Sequence, residues 1–147
     1  GEPPPPEEGR ERVDGAVFLG QLLAEQCFDL ADGGFSAQPP VVEGSYCLDL
    51  RTEDICRVFD NLFTNLKKYA DPAGPIQISV WEEGELVAVG LENRAGPVSR
   101  ADSRGIGVPT MRALLARNGG RMEIERQGEI YRTTVYLPKA AEGAKRP

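Results

Sequence analysis

Apolar residues recur at helical spacing in three segments of the chain. The first segment extends from Asp14 to the Gly33-Gly34 pair, and the second from Thr52, a candidate N-cap, to about Tyr69. The third begins near Pro109 and ends at residues 118–120, Asn-Gly-Gly. A period of about 3.6 residues is typical of amphipathic helices. The pattern therefore predicts three helices, each with one apolar face.

Other segments alternate apolar and polar residues, as strands do. They cover residues 46–50, 75–82, 85–93, 121–126 and 130–138, and the turn-rich stretch 35–45 leaves room for a short edge strand. Gly84 and Gly128 fall between neighbouring strands, which predicts two hairpins. Hairpins require antiparallel pairing. The predicted fold is a two-layer α/β sandwich, with a mixed, largely antiparallel sheet of about five strands covered on one face by three helices.

Composition narrows the possible functions. The chain has 147 residues and a formal net charge of −6, which argues against nucleic-acid binding. It has no histidine, so Ser-His-Asp catalysis and most zinc sites are excluded. No apolar run approaches the roughly 18 residues of a membrane span. We expect a domain at 14–138, a disordered or linker tail at 1–13 and a polar tail at 139–147.

Two asparagines stand out in the second predicted helix. Asn61, Asn65 and Lys68 follow i, i+4, i+7 spacing, so they share one face beside the apolar stripe. Amide oxygens are neutral ligands suited to Mg²⁺, which binds few protein groups and several phosphate oxygens. The row predicts either one wall of a metal-nucleotide site or an ordinary solvated helix flank.

A glycine-rich loop precedes the third predicted helix. Gly105 and Gly107 let the backbone approach a ligand closely, and free N–H groups at a helix start favour phosphate. Three arginines lie in the same loop, at positions 94, 100 and 104. The alternatives are a phosphate-binding loop and an ordinary helix entry with solubilising arginines.

Two motifs together resemble one known family. The segment DICRVFDNLFTNLKKYAD, residues 54–71, resembles the N box of bacterial sensor histidine kinases. The segment SRGIGVPTMRALLARNGGRMEI, residues 103–124, resembles their second glycine box with the helix and strand that follow. The resemblance covers about residues 14–138 and implies the Bergerat-type, or GHKL-type, sandwich of a catalytic ATP-binding domain.

The resemblance also implies roles for individual residues. It assigns Asn65 to Mg²⁺ and Asn61 to the same site one turn earlier, both as catalytic and ATP-binding residues. Lys68 corresponds to a phosphate-facing lysine and Tyr69 to an aromatic residue beside adenine. The end of the ATP lid corresponds to Arg104, Gly105, Ile106 and Gly107. Related ATPases carry a glutamate at the position of Asn61, and since an amide cannot accept a proton at neutral pH, Asn61 favours a kinase over a hydrolase.

The first glycine box departs from the family pattern. The family has an aspartate there that accepts a hydrogen bond from the adenine amino group, and this chain reads GLENRAG at residues 90–96. Strand parity places Asn93 in phase with Leu91, so Asn93 is the predicted counterpart. Glu92 is the alternative.

The resemblance implies a cytoplasmic domain of a two-component sensor kinase of the membrane-anchored kind. Such a domain binds Mg-ATP and donates the γ-phosphate to a histidine on a dimerisation domain, which passes it to a response regulator. That dimerisation domain is absent from this chain, so we expect a monomer that does not phosphorylate itself. Two alternatives are a degenerate interaction module without nucleotide binding and a stand-alone kinase or ATPase.

Overall fold

A computed structural model describes residues 9–96 and 107–141. These residues form three helices and seven strands. They are β1 (Glu11–Asp14), α1 (Gly15–Asp32), β2 (Ser36–Ala37), β3 (Cys47–Leu50), α2 (Thr52–Tyr69), β4 (Pro75–Glu83), β5 (Leu86–Arg94), α3 (Val108–Ala116), β6 (Arg121–Gln127) and β7 (Ile130–Pro138). No helix in these ranges is long and apolar enough to cross a membrane.

The main sheet has five strands in the order β2-β4-β5-β7-β6. The β2–β4 pair is parallel and the other pairs are antiparallel. Gly84 and Gly128 have positive φ angles in the two hairpin turns, where glycine carries no steric penalty. The predicted mixed sandwich of three helices and a five-stranded sheet is confirmed.

The membership of the sheet differs from the prediction at one strand. Residues 46–50 were predicted to join the sheet, but β3 pairs instead with β1 in a separate two-stranded sheet. The fifth strand of the main sheet is the two-residue β2, within the stretch that left room for an edge strand. A strand of two residues is too short to show a period, and the alternation of residues 46–50 does not identify a pairing partner.

The predicted tails are partly ordered. β1 begins at Glu11, inside the segment 1–13, and antiparallel pairing with β3 holds it. Residues 139 and 140 donate backbone hydrogen bonds to the carbonyls of Glu85 and Cys47. Backbone pairing fixes these positions without needing apolar side chains, which is why a polar composition concealed them.

α2 is the central helix. Its apolar residues, all nearly or fully buried, are Ile55, Val58, Phe59, Leu62, Phe63 and Leu66. The acidic Glu53 and Asp54 lie in its first turn and Lys67 and Lys68 in its last, as the helix dipole favours. The predicted N-cap is wrong by one residue: Arg51 is the N-cap, and Thr52 is the first helical residue.

The inner face of the sheet carries aligned rows of side chains. The registers place Val89, Val135 and Met122 in one row, Leu91, Thr133 and Ile124 in the next, and Asn93, Tyr131 and Arg126 in the third. Val89, Val135 and Met122 are fully or nearly buried under the helices. The rows become polar toward the end of β5, so the apolar core gives way there to a polar-edged cavity.

Candidate functional site

A cavity of about 380 Å³ lies between the C-terminal half of α2 and the polar end of the sheet. Its lining comes from α2, β5 and the residues after it, α3, β6 and β7. The lining residues are Leu62, Asn65, Leu66, Tyr69, Leu91, Asn93, Ala95, Gly96, Val108, Met111, Ile124, Tyr131 and Thr133. Its volume is within the roughly 300–1,000 Å³ of small-molecule sites.

The α2 wall combines core and polar positions. Leu62 and Leu66 belong to the buried apolar face of α2. Asn65 and Tyr69 lie at the edge of that face and are half-buried. The Asn65 amide has no hydrogen-bond partner among the described residues. The side chain is only half-buried, so its amide is open to water and to a ligand that enters the cavity and replaces that water as hydrogen-bond partner.

The β5 wall distinguishes Asn93 from Glu92. Asn93 lines the cavity in phase with Leu91. Glu92 points away from it and accepts two hydrogen bonds from Arg132, at 2.7 and 3.1 Å. The Asn93 Nδ2 donates to the Arg94 carbonyl at 3.1 Å. Of the two residues that the sequence offered, the structure brings Asn93 to the cavity.

Two residues of β7 were missed by the sequence reasoning. Thr133 and Tyr131 lie in the same rows as Leu91 and Asn93 and form part of the cavity floor. The Arg126 guanidinium stacks on the Tyr131 ring, 5.0 Å from its centroid. The sequence did contain a signal for them, because both residues fall on the same face of the strand as the buried Val135. Placing them in the cavity also required the β5–β7 register.

The backbone after β5 is tied to the end of α2. Gly96 N donates to the Tyr69 carbonyl at 2.7 Å, and Asp71 N donates to the Arg94 carbonyl at 2.8 Å. A Cβ on Gly96 would lie 3.0 Å from the Ala70 carbonyl oxygen, which is tighter than most real Cβ contacts. A larger residue would push the two backbones apart by a few tenths of an ångström, so glycine favours the close approach that holds the rim of the cavity against α2.

No charged side chain is among the described residues that line the cavity. Its polar groups are two amides, one hydroxyl and two phenols, on otherwise apolar walls. Such a lining suits a flat, neutral group with a few hydrogen-bonding atoms, as a nucleobase is. It does not suit a charged group, which would be desolvated without a counter-ion.

The remaining predicted site residues lie elsewhere. Asn61 donates from Nδ2 to the Arg57 carbonyl at 2.8 Å, one turn back on the helix, and does not line the cavity. Lys68 is exposed beyond the cavity wall. Gly107 is the N-cap of α3 and is exposed. Arg104, Gly105, Ile106 and most of the predicted lid lie outside the described residues.

The residues present fit a nucleotide and a magnesium ion bound with it. No group of three or more acidic, cysteine or histidine side chains among the described residues could hold a metal on its own. Mg²⁺ needs no such cage, since it commonly binds one or two protein oxygens together with substrate phosphates. The Asn65 amide at the cavity edge can supply one such oxygen.

Sequence comparison finds relatives among sensor kinases. The chain is 31% identical over 110 aligned residues to the sensor protein VanSC of Enterococcus gallinarum, covering 61% of this chain and 30% of that protein. The chain thus spans less than a third of this relative's length. No protein-family model matches the chain.

Solved structures share the fold. The catalytic domain of histidine kinase ThkA superposes with a TM-score of 0.71 at 14% identity, covering 88% of this chain and 95% of that one. The ATP-binding domain of PrrB from Mycobacterium tuberculosis superposes with a TM-score of 0.66 at 17% identity, covering 90% and 99%. At these identities the likeness establishes the fold, and the sequence relative points to the same class of protein. In sequence and in fold, the chain is similar to the ATP-binding catalytic domains of bacterial sensor histidine kinases.

Proposed function

We propose that this chain is the ATP-binding catalytic domain of a two-component sensor histidine kinase. In this proposal it binds Mg-ATP and donates the γ-phosphate to a histidine on a dimerisation domain. That histidine lies outside this chain, which contains none. A response regulator receives the phosphate afterwards, and the domain works on the cytoplasmic side of a membrane-anchored sensor.

One observation carries the proposal. The cavity between α2 and the sheet has apolar walls and neutral polar groups, and its α2 edge presents the unpaired Asn65 amide. A nucleobase needs the first feature and a metal-bound phosphate needs the second. The fold shared with the ATP-binding domain of PrrB supports the same interpretation.

Each part of the site has a distinct task in this proposal. Leu66, Leu91 and Met111 enclose the base and exclude water. Asn93 accepts a hydrogen bond from the base through Oδ1, while its Nδ2 donates one hydrogen bond to the Arg94 carbonyl and so holds the side chain in place. Asn65 supplies a magnesium ligand. Lys68, Arg104 and the backbone at residues 105–107 neutralise and hold the phosphates, which raises the rate mainly by positioning and charge stabilisation.

Thermal unfolding with and without Mg-ATP tests the proposal. A ligand at about 100 times its Kd should stabilise the native chain by about 2.7 kcal/mol, which raises Tm by several degrees. Asn65→Ala should abolish the part of this shift that depends on Mg²⁺. Thr64→Ala is the matched control, because Thr64 is the exposed neighbour on the same helix and lies outside the cavity.

Two results would contradict the proposal. If millimolar Mg-ATP leaves Tm unchanged in the wild-type chain, the domain is an interaction module that has lost nucleotide binding. If the chain alone hydrolyses ATP at a steady rate, it is a stand-alone ATPase. We expect neither hydrolysis nor self-phosphorylation, because the acceptor imidazole is on another domain.

A further inference from the structure

α1 carries a second apolar stripe on the side that faces away from the core. Its members follow alternating steps of four and three residues, the heptad spacing of a coiled-coil seam. We call this stripe the α1 seam, and it consists of the apolar residues Val17, Ala24, Phe28 and Ala31 with one polar member, Gln21. All five residues are exposed.

The fold does not use the α1 seam. The buried residues of α1 are on the opposite side and include Leu19, Leu23 and Leu30, each fully buried. In contrast, Val17 is 55% exposed and Phe28 is 78% exposed. Single exposed apolar residues are ordinary, but four of them together with one glutamine, at heptad spacing over four turns, form a strip that suits another helix.

The residues in and beside the α1 seam add to its apolar surface and allow a second helix to pack closely against α1. Ala24 and Ala31 are small, and small residues let a second helix pack near the backbone. On one side, a Cβ on Gly20 would lie 3.9 Å from the Val42 Cβ, so the segment before β3 runs beside α1. Val41, in that segment, is 79% exposed and widens the apolar surface.

The charges beside the α1 seam are all negative. α1 contains no lysine or arginine. Glu25 and Asp32 are exposed and seven residues apart, so they occupy the same flanking heptad position, and the exposed Glu43 follows Val42 on the other side. Asp29 is not counted among these free charges, because it already forms an ion pair with Lys67 of α2. A partner helix must therefore supply positive charges at its own flanking positions.

The same charges argue against a second copy of this chain. Two α1 seams would bring Glu25 and Asp32 of each copy near those of the other, and like charges across a coiled-coil interface are destabilising. The net charge of −6 adds to this repulsion.

We propose that the α1 seam docks an amphipathic helix of a partner protein, with apolar residues at heptad positions and lysine or arginine flanking them. This interaction is separate from the nucleotide cavity, which lies on the other side of the helical layer between α2 and the sheet. The partner helix would lie along α1 at the shallow crossing angle of about 20° that is typical of such packing.

A displayed library of helical peptides tests this proposal. The peptides carry leucine at the a and d positions and random Lys, Glu or Gln at e and g, and they are selected on the whole 147-residue chain. We expect the selected peptides to be enriched in lysine at e and g. Their affinity should fall at least about tenfold on Phe28→Glu, because an exposed aromatic anchor in such an interface is a typical hot spot.

A charge swap sharpens the test. The double variant Glu25→Lys, Asp32→Lys should prefer peptides that carry glutamate at e and g. Phe28, Glu25 and Asp32 are all exposed, so these variants should keep the wild-type Tm and the wild-type Tm shift with Mg-ATP. That control separates failure of this proposal from failure of the nucleotide proposal.

Three results would overturn the docking proposal. The first is that no peptide binds the chain. The second is that selected peptides bind Phe28→Glu as tightly as wild type or carry no excess of lysine. The third is sedimentation of wild type as a dimer that Phe28→Glu dissociates, which would assign the α1 seam to a second copy.

Discussion

A buried asparagine contacts the N-terminal end of α2 and a half-buried asparagine lies toward its C-terminal end, and only the first has hydrogen-bond partners among the described residues. At the N-terminal end, Asn118 donates to the Asp54 carboxylate at 2.9 Å and to the Leu114 carbonyl at 2.8 Å, and accepts from Arg51 N at 2.7 Å. Arg117 adds two hydrogen bonds to Asp54, at 2.8 and 2.9 Å. This cluster joins the start of α2 to the end of α3 and is complete within the protein.

At the C-terminal end, Asn65 faces a cavity and has no partner among the described residues. Asn118 and Asn65 are thus the same residue type in opposite situations. Asn118 is 3% exposed and fully hydrogen-bonded, which makes it a structural link. The Asn65 amide is available to hydrogen-bond or coordinate a ligand that enters the cavity. The comparison teaches that the asparagine that is both buried and complete in its hydrogen bonds links two helices, whereas the half-buried one without partners among the described residues is open to a ligand.

Asn118→Ala should give the largest change in stability. It removes three hydrogen bonds, leaves the Arg51 N–H without its acceptor and leaves the buried Asp54 carboxylate with Arg117 alone, so we expect a loss of about 3 kcal/mol in the free energy of unfolding. Urea denaturation measures this loss. If Asn118→Ala costs less than about 1 kcal/mol, the cluster does not hold α2 to α3 and the contrast with Asn65 fails.

The pH dependence of stability should report on Asp54. Hydrogen bonds from Arg117, and then from Asn118, lower the pKa of Asp54 against the opposing effect of burial. A carboxyl whose pKa is lower in the folded state stabilises the fold above its unfolded pKa, and this contribution is lost as pH falls through the folded value.

Asp54→Asn should therefore destabilise the chain by about 2 kcal/mol at pH 7, where the charged hydrogen bonds are intact. The difference from wild type should begin to shrink below about pH 4, where Asp54 of the unfolded chain takes up its proton, and should disappear as pH falls through the lower pKa of the folded state. Urea denaturation at a series of pH values provides the measurement. A difference that stays constant from pH 7 to pH 3 would show that the charge of Asp54 does not contribute.

Asn65→Ala should change the stability of the ligand-free chain least. The amide loses no hydrogen bond within the described structure, and alanine is a better helix former by roughly 0.5 kcal/mol. We expect a stability equal to or slightly above that of wild type, together with the loss of the Mg-ATP shift. Asn61→Ala provides a comparison, since it loses the bond to the Arg57 carbonyl. A clear drop in stability for Asn65→Ala would make Asn65 a second structural residue like Asn118.

Sequence reasoning reached one side of the site and missed the other. The 3.6-residue period of α2 placed Asn65 in one row with Asn61 and Lys68, of which only Asn65 lines the cavity, and the family resemblance added Tyr69. The two-residue period of β5 put Asn93 on the inner face. Both are local regularities within one element. Tyr131 and Thr133 come from a strand about 40 residues further along the chain, and only the β5–β7 register brings them to the same floor.

The same limit explains the role of Asn118. The sequence shows it beside Gly119 and Gly120 and predicts a helix stop, and α3 does end there. Its bonds to Asp54 and Arg51 join segments more than 60 residues apart. No local pattern indicates that an amide in a turn will be buried against another helix.

The sequence by itself determined the three helices, the hairpins and the two motifs with their family resemblance, because each of these rests on spacing within a short stretch. It also excluded histidine chemistry, because the chain contains no histidine. Only the tertiary structure decided which strands share a sheet, which polar residues border the cavity and which find partners inside the protein. Those properties depend on contacts between distant segments. Such contacts form when the apolar faces of helices and sheet pack together, and many different registers satisfy the same local pattern.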